Sequence, residues 1–127
     1  MKLINAVVGA VTLACLVMVL RAPVEPPDDF WFQSVVVEES RPVVVKFGAE
    51  WCGPCVHMEQ VLDELASSVS GQVKIVRIDI DEMPELAAHY GVSTIPRIFL
   101  FKKGHVVTSH GGFHDAQSMK TWLDRQL

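Results

Sequence analysis

The chain has 127 residues, half of them apolar and a fifth charged, with a net charge of −4. That length suits one domain with a sizeable core, and the composition excludes a disordered or collagen-like chain. Lys2 and Arg21 both belong to the N-terminal segment, so the rest carries nine basic against fifteen acidic residues; an acidic body whose longest basic run is Lys102-Lys103 argues against nucleic acid as a partner.

Lys2 is followed by 18 uncharged residues, Leu3 to Leu20, interrupted only by Asn5, Gly9 and Thr12. As a helix they would span roughly 27 Å, close to a bilayer's hydrocarbon core. Residues 1–21 are therefore expected to act as a signal anchor holding the protein to a membrane through residues 3–20, with a cleaved signal peptide as the alternative. Val19-Leu20-Arg21 offers no small-residue cleavage triplet, which favours the anchor. Cys15 reads as a small apolar residue of this segment. Positive charges flank the run on both sides, so orientation is weakly determined; the domain is expected on the extracytoplasmic side, the cytoplasmic face being the alternative. Residues 22–28 are rich in Pro and acid and read as a stiff linker, which leaves 29–127 for the folded domain.

An ambiguous first element covers about 29–39, with Asp28 or Asp29 as a helix cap and Phe30, Trp31 and Val35 as its buried face. Pro42 opens a β-branched run, Val43 to Phe47, that ends at Gly48 and reads as a strand. From Cys52 a helix follows, with Met58, Leu62, Leu65 and Val69 in one apolar stripe and Gly71 as its stop. Val73 to Ile80 is a second strand. Pro84 suits the first turn of a short helix from about Met83 to Tyr90, closed by Gly91. Arg97 to Lys102 and His105 to Ser109 form a hairpin around Lys103-Gly104. After Gly111-Gly112, Asp115 to Gln126 is an amphipathic helix with Met119, Trp122 and Leu123 inward. Trp31 and Trp122 are expected in the core, and His57, His89, His105, His110 and His114 at the surface. The order predicts an α/β layer fold around a central mixed sheet.

Three cysteines are too few for a disulfide scaffold, but Cys52 and Cys55 lie where a strand gives way to a helix. Thiol–disulfide exchange needs a thiolate, and the free N–H groups and dipole of a helix N-terminus stabilise one. Cys52 sits at that terminus as the candidate nucleophile. Cys55, three residues on and on the same side of the first turn, is the candidate resolving thiol. Gly53-Pro54 fixes the tight turn into the helix. Zinc would need two further ligands, and covalent haem would need His where Val56 stands, so no metal or cofactor is expected. Trp51, beside an exposed cysteine, is expected on the substrate surface. Thr94-Ile95-Pro96 precedes a strand, where proline is tolerated. A cis bond there would turn the Ile95 backbone outward as a docking edge.

Ala49 to Cys55, Ile78-Asp79-Ile80-Asp81, Tyr90-Gly91-Val92, Thr94-Ile95-Pro96, Phe99 to Gly104 and the late Gly111 together resemble the thioredoxin family over roughly 29–127. The resemblance implies a thioredoxin-like fold, a redox-active Cys52–Cys55 pair, a cis peptide before Pro96, and a substrate surface including Trp51, Gly53, Pro54, Ile95, Pro96 and Gly111. It implies disulfide-containing proteins as substrates and an upstream thiol donor, either a thioredoxin reductase or a membrane thiol carrier. The alternatives are a dedicated envelope reductase for one partner such as apocytochrome, and a non-catalytic interaction module. Four departures stand out. The linker leaves room for a four-stranded sheet, with a fifth strand at most as a remnant near Val24. Gln60 replaces a common helix-kinking proline. Lys46 replaces the aspartate usual beneath the cysteines, with Gly48 where an aromatic residue is common. Lys46 must reach water, pair with an acid such as Glu50, or lose its proton. As a cation near Cys55 it is expected to tune the thiol pKa and favour the reduced form.

Overall fold

In the structure, a computed structural model, residues 1–20 and 24–127 are described. The β-branched run after Pro42 lies at the centre of the sheet as β1 (Val43–Gly48), buried along its whole length. Its neighbours are β2 (Lys74–Asp79), paired parallel, and β3 (Arg97–Lys102), paired antiparallel. β4 (His105–His110) closes the hairpin, giving the order β2-β1-β3-β4. The hairpin turn needs positive φ at Lys103 (51°) and Gly104 (79°), and glycine supplies the second without a Cβ penalty. The expected four-stranded mixed sheet is thus present. Residues 24–28 form neither helix nor strand, so no remnant strand lies at Val24; Ala22 and Pro23 of the expected linker fall outside the described residues.

Side chains alternate across a strand, and β1 therefore feeds two cores. Val43, Val45 and Phe47 pack with Val76, Ile78, Phe99 and Phe101 under the short helix α4 (Pro84–His89) and the segment around Phe32. Val44 packs with Ile98 and Leu100 under α3 (Gly53–Val69) and α5 (Ala116–Asp124). The stripe read from sequence, Met58, Leu62, Leu65 and Val69, is the buried side of α3. Asp115 caps α5 by accepting from Ser118 N at 2.7 Å.

The first element differs from expectation. Asp29 does cap it, accepting from Phe32 N at 2.7 Å. A short α-helix, α2 (Phe30–Phe32), then passes straight into a π-helical turn over Gln33–Val37. The buried residues are Phe32 and Val36, while Phe30 is 90% exposed and Trp31 is not a core residue. The aromatic cluster decides this: Phe32 packs tilted against Tyr90 at 5.5 Å and edge-on against Phe101 at 5.7 Å, which sets the rotation of the turn. Trp122 is half-buried beside Phe113 rather than central.

The N-terminal run is a helix, α1 (Lys2–Leu20). The membrane attachment and extracytoplasmic placement expected from residues 3–20 are overturned. Among the described residues no helix is long and apolar enough to cross a membrane.

Candidate active site

β1 ends at Gly48, and the chain turns through Ala49-Glu50-Trp51 into α3. Cys52 N donates to Ala49 O at 3.2 Å, closing the turn. Cys52 is the N-cap of α3, its extended backbone (φ −91°, ψ 109°) breaking the strand-to-helix path, and Pro54 occupies the first turn. The Cys55 N–H donates to Cys52 Sγ at 3.2 Å. One otherwise orphaned helix donor thus points at sulfur, and the helix dipole points the same way. No acidic side chain lies in the first turn of α3 to oppose a thiolate.

The two sulfurs stand at disulfide distance, with Cα atoms 5.2 Å apart. Cys52 retains 7% exposure and Cys55 1%. Ala49 completes this small cluster, with Ile80 and Ile95 packed against it. The Ile95–Pro96 peptide is cis. Ile95 O lies 4.0 Å from Cys52 Sγ, so the loop before β3 stands directly beside the outer sulfur.

Trp51 is 70% exposed, with its indole N–H donating to Asp81 Oδ2 at 2.8 Å. The ring is thus held at one edge while its faces stay open. Nothing lies within 4 Å of a Cβ placed on Gly53 or Gly111. The glycine packed against Pro96 is Gly112 (φ 123°), where a Cβ would come 3.1 Å from Pro96 Cγ. His57 faces solvent, its Nε2 2.7 Å from His114 O.

Beneath the pair lies an open cleft of about 440 Å³ whose lining includes Lys46, Gly48, Glu50, Cys55, Glu59 and Arg77. Lys46 is 6% exposed. Its partner is Glu59 of α3, not Glu50. Arg77 Nε reaches the other oxygen of Glu59 at 2.5 Å, and its Nη2 reaches Asp63 at 2.8 Å. Burial pushes the Glu59 carboxyl up, but the hydrogen bonds and charges of Lys46 and Arg77 outweigh it and hold the group below its ordinary value. A Cβ on Gly48 would lie 3.0 Å from Lys46 Cε and 3.3 Å from Cys55 Cβ, so glycine here is what lets the lysine lie alongside the cysteine.

Three residues of the site were missed from sequence. Glu59 was legible in part, since it follows Cys55 by four and shares its helix face. Gly112 adjoins the glycine that was chosen. Asp81 stood out in sequence only as part of the Ile78 to Asp81 motif, and its contact with Trp51 crosses 30 residues.

A family profile described as "Thioredoxin" matches residues 24–125. The thioredoxin of Haemophilus influenzae is 44% identical over 100 residues, covering 79% of this chain and 94% of its own length. Thioredoxin 1 of Synechococcus elongatus is 40% identical over 99 residues, covering 78% and 92%, and the thioredoxin of Rickettsia felis is 36% identical over 99 residues, covering 78% and 94%. Cys52 and Cys55 stand at disulfide distance where a sheet strand yields to a helix, and the chain belongs to the thioredoxin family of thiol–disulfide oxidoreductases.

Proposed function

We propose that the protein reduces protein disulfides with Cys52 as attacking thiolate and Cys55 as resolving thiol. The observation that carries this is the asymmetry of the pair. Cys52 Sγ sits at the helix start, accepts the Cys55 N–H and keeps the larger exposure, while Cys55 lies one turn inside. The Cys52 thiolate attacks one sulfur of the substrate disulfide and forms a mixed disulfide, expelling the other substrate sulfur as a thiolate that takes up a proton from water. Cys55 then loses its proton and attacks Cys52 Sγ. The Cys52–Cys55 bond forms, the bond to substrate breaks, and the second substrate sulfur leaves as a thiolate that takes up a proton. Two electrons have passed to the substrate, and a thioredoxin reductase type of donor must return them.

The substrate surface is drawn around Trp51, Gly53, Pro54, Ile95, Pro96 and Gly111. The exposed indole and the nearness of the Ile95 carbonyl to Cys52 support it: an extended substrate chain bonding to that backbone would bring its disulfide onto the sulfur. The catalytic body is residues 29–127, with 22–28 as its linker. The reading as an interaction module without redox chemistry gains no support from a cysteine pair at disulfide distance.

Limiting iodoacetamide at neutral pH is expected to label Cys52 of the reduced protein first. Preferential labelling of Cys55 would reverse the assignment. A Cys55→Ser variant is expected to hold substrates as mixed disulfides on Cys52, many different ones for a general reductase and one for a dedicated enzyme.

A further inference from the structure

We propose that Glu59 is a positioning residue for the exchange reaction, setting through Lys46 how much positive charge the Cys55 sulfur meets; this rests on the reading of Cys52 and Cys55 as the redox pair. Three observations converge on it. Cys55 and Glu59 are four apart on α3 and line the same cleft. Lys46 Nζ and Cys55 Cβ lie 3.2 and 3.3 Å from one point, the place a Gly48 Cβ would occupy. Lys46 is the one buried charged residue among those described, and Glu59 is its ion-pair partner.

A buried ammonium without a partner is costly, so the pair is the stable arrangement. Pairing also mutes the field of Lys46 at the sulfur, since the carboxylate brings an opposite charge to nearly the same place. Glu59 is shared. Arg77 holds its other oxygen, and Asp63 holds Arg77 in turn. A swing of Glu59 toward Arg77 would leave Lys46 facing Cys55 uncompensated. The other charged groups lining this cleft are Glu50, Asp79 and Glu82, all carboxylates, so Lys46 and Arg77 supply its positive charge.

The charge matters at one step. When Cys55 attacks Cys52 Sγ in the mixed disulfide it must first become a thiolate. An unmuted Lys46 lowers the cost of that thiolate and stabilises the dithiol form as a whole. A muted Lys46 leaves the protein the stronger reductant. Glu59 thus holds the protein toward the reducing end of its range, although it need not touch substrate or sulfur.

The test is equilibration of the full chain with glutathione, alongside the pH profile of iodoacetamide alkylation. Glu59→Gln keeps the size and removes the charge. It is expected to shift the equilibrium constant about tenfold toward the dithiol, about 30 mV, and to move thiol alkylation to lower pH. Lys46→Met is expected to move both readouts the other way. In the Lys46→Met background the Glu59→Gln shift should shrink, because Glu59 then has Arg77 alone to serve. No shift for Glu59→Gln, or an equal shift in both backgrounds, would overturn the proposal. Should Glu59→Gln fail to fold, Glu59→Asp keeps the charge and shortens the reach. A smaller shift toward the dithiol supports the proposal there, and none overturns it. A wild-type protein that does not equilibrate with glutathione at all would instead refute the redox reading itself.

Discussion

β1 separates two regions built by opposite rules. On the side of α4, Val43, Val45 and Phe47 enter a cluster with Phe32, Tyr90, Phe99 and Phe101 that contains no charge. On the side of α3, Val44 enters an aliphatic layer, and two residues later the same face presents Lys46 to Glu59. The first face is held by area and shape: Phe47 and Phe99 meet edge-on at 5.5 Å, Tyr90 and Phe101 at 5.3 Å. The second accepts a buried ion pair at the end nearest the cysteines. A single strand, through alternation alone, thus supplies stability on one side and reactivity on the other.

Cutting into the aromatic face should cost the most. Phe101 is fully buried there, and Phe101→Ala is expected to lose about 3–5 kcal/mol by urea unfolding. The folded fraction should keep its glutathione equilibrium unchanged. A shifted equilibrium would mean that the two faces are not independent.

Gly48→Ala probes the other face at its tightest point. The added methyl meets Lys46 Cε at 3.0 Å and Cys55 Cβ at 3.3 Å. A loss of about 1–3 kcal/mol is expected from overpacking, together with a changed redox equilibrium, because the lysine end is the part free to give way. A stability loss with no redox change would show that the lysine position does not matter to the thiols.

The smallest effect is in pH. The Glu59 carboxyl is held below its ordinary 4.5 in the folded chain, burial opposing and the bonds from Lys46 and Arg77 prevailing. Its contribution is therefore complete above pH 4.5 and fades as pH falls through the lowered value. Burial pushes the Tyr90 phenol from 10 up to about 12. Its neutral form contributes below pH 10, and that contribution is lost as pH rises toward about 12. Acid should loosen the α3 face and strong alkali the aromatic face. The urea midpoint followed across pH should fall less steeply in acid for Glu59→Gln, with Glu39 and Asp115 also held below their ordinary values, and less steeply in alkali for Tyr90→Phe.

Much of the fold was written in local signals. The run Val43 to Phe47 had to be a strand, since β-branched residues bounded by Pro42 and Gly48 leave little else. The stripe Met58, Leu62, Leu65 and Val69 repeats at helix period, and Lys103-Gly104 sits where a hairpin turn needs positive φ. The site was equally local at its centre: Cys52 and Cys55 bracket a Gly-Pro turn at a helix start, and Lys46 shares a face with Val44 by simple alternation. The N-terminal run shows the limit of such reading: a count of uncharged residues pointed to a membrane helix, and among the described residues no helix is long and apolar enough to cross a membrane.

The sequence by itself determined which residues alternate, which turn and which cysteines can meet, because each of these depends on neighbours within about one helical turn or one hairpin. Tertiary structure alone decided that Phe32 and Val36, not Phe30 and Trp31, are the buried residues of the first element, with Val35 half-buried against the same cluster, since Tyr90 and Phe101 lie more than 50 residues away in sequence. It alone pinned Trp51 to Asp81 and gave Lys46 to Glu59 rather than Glu50. A buried charge takes the partner that the packing of a strand against a helix brings within reach, and that distance is not encoded in any single stretch of chain.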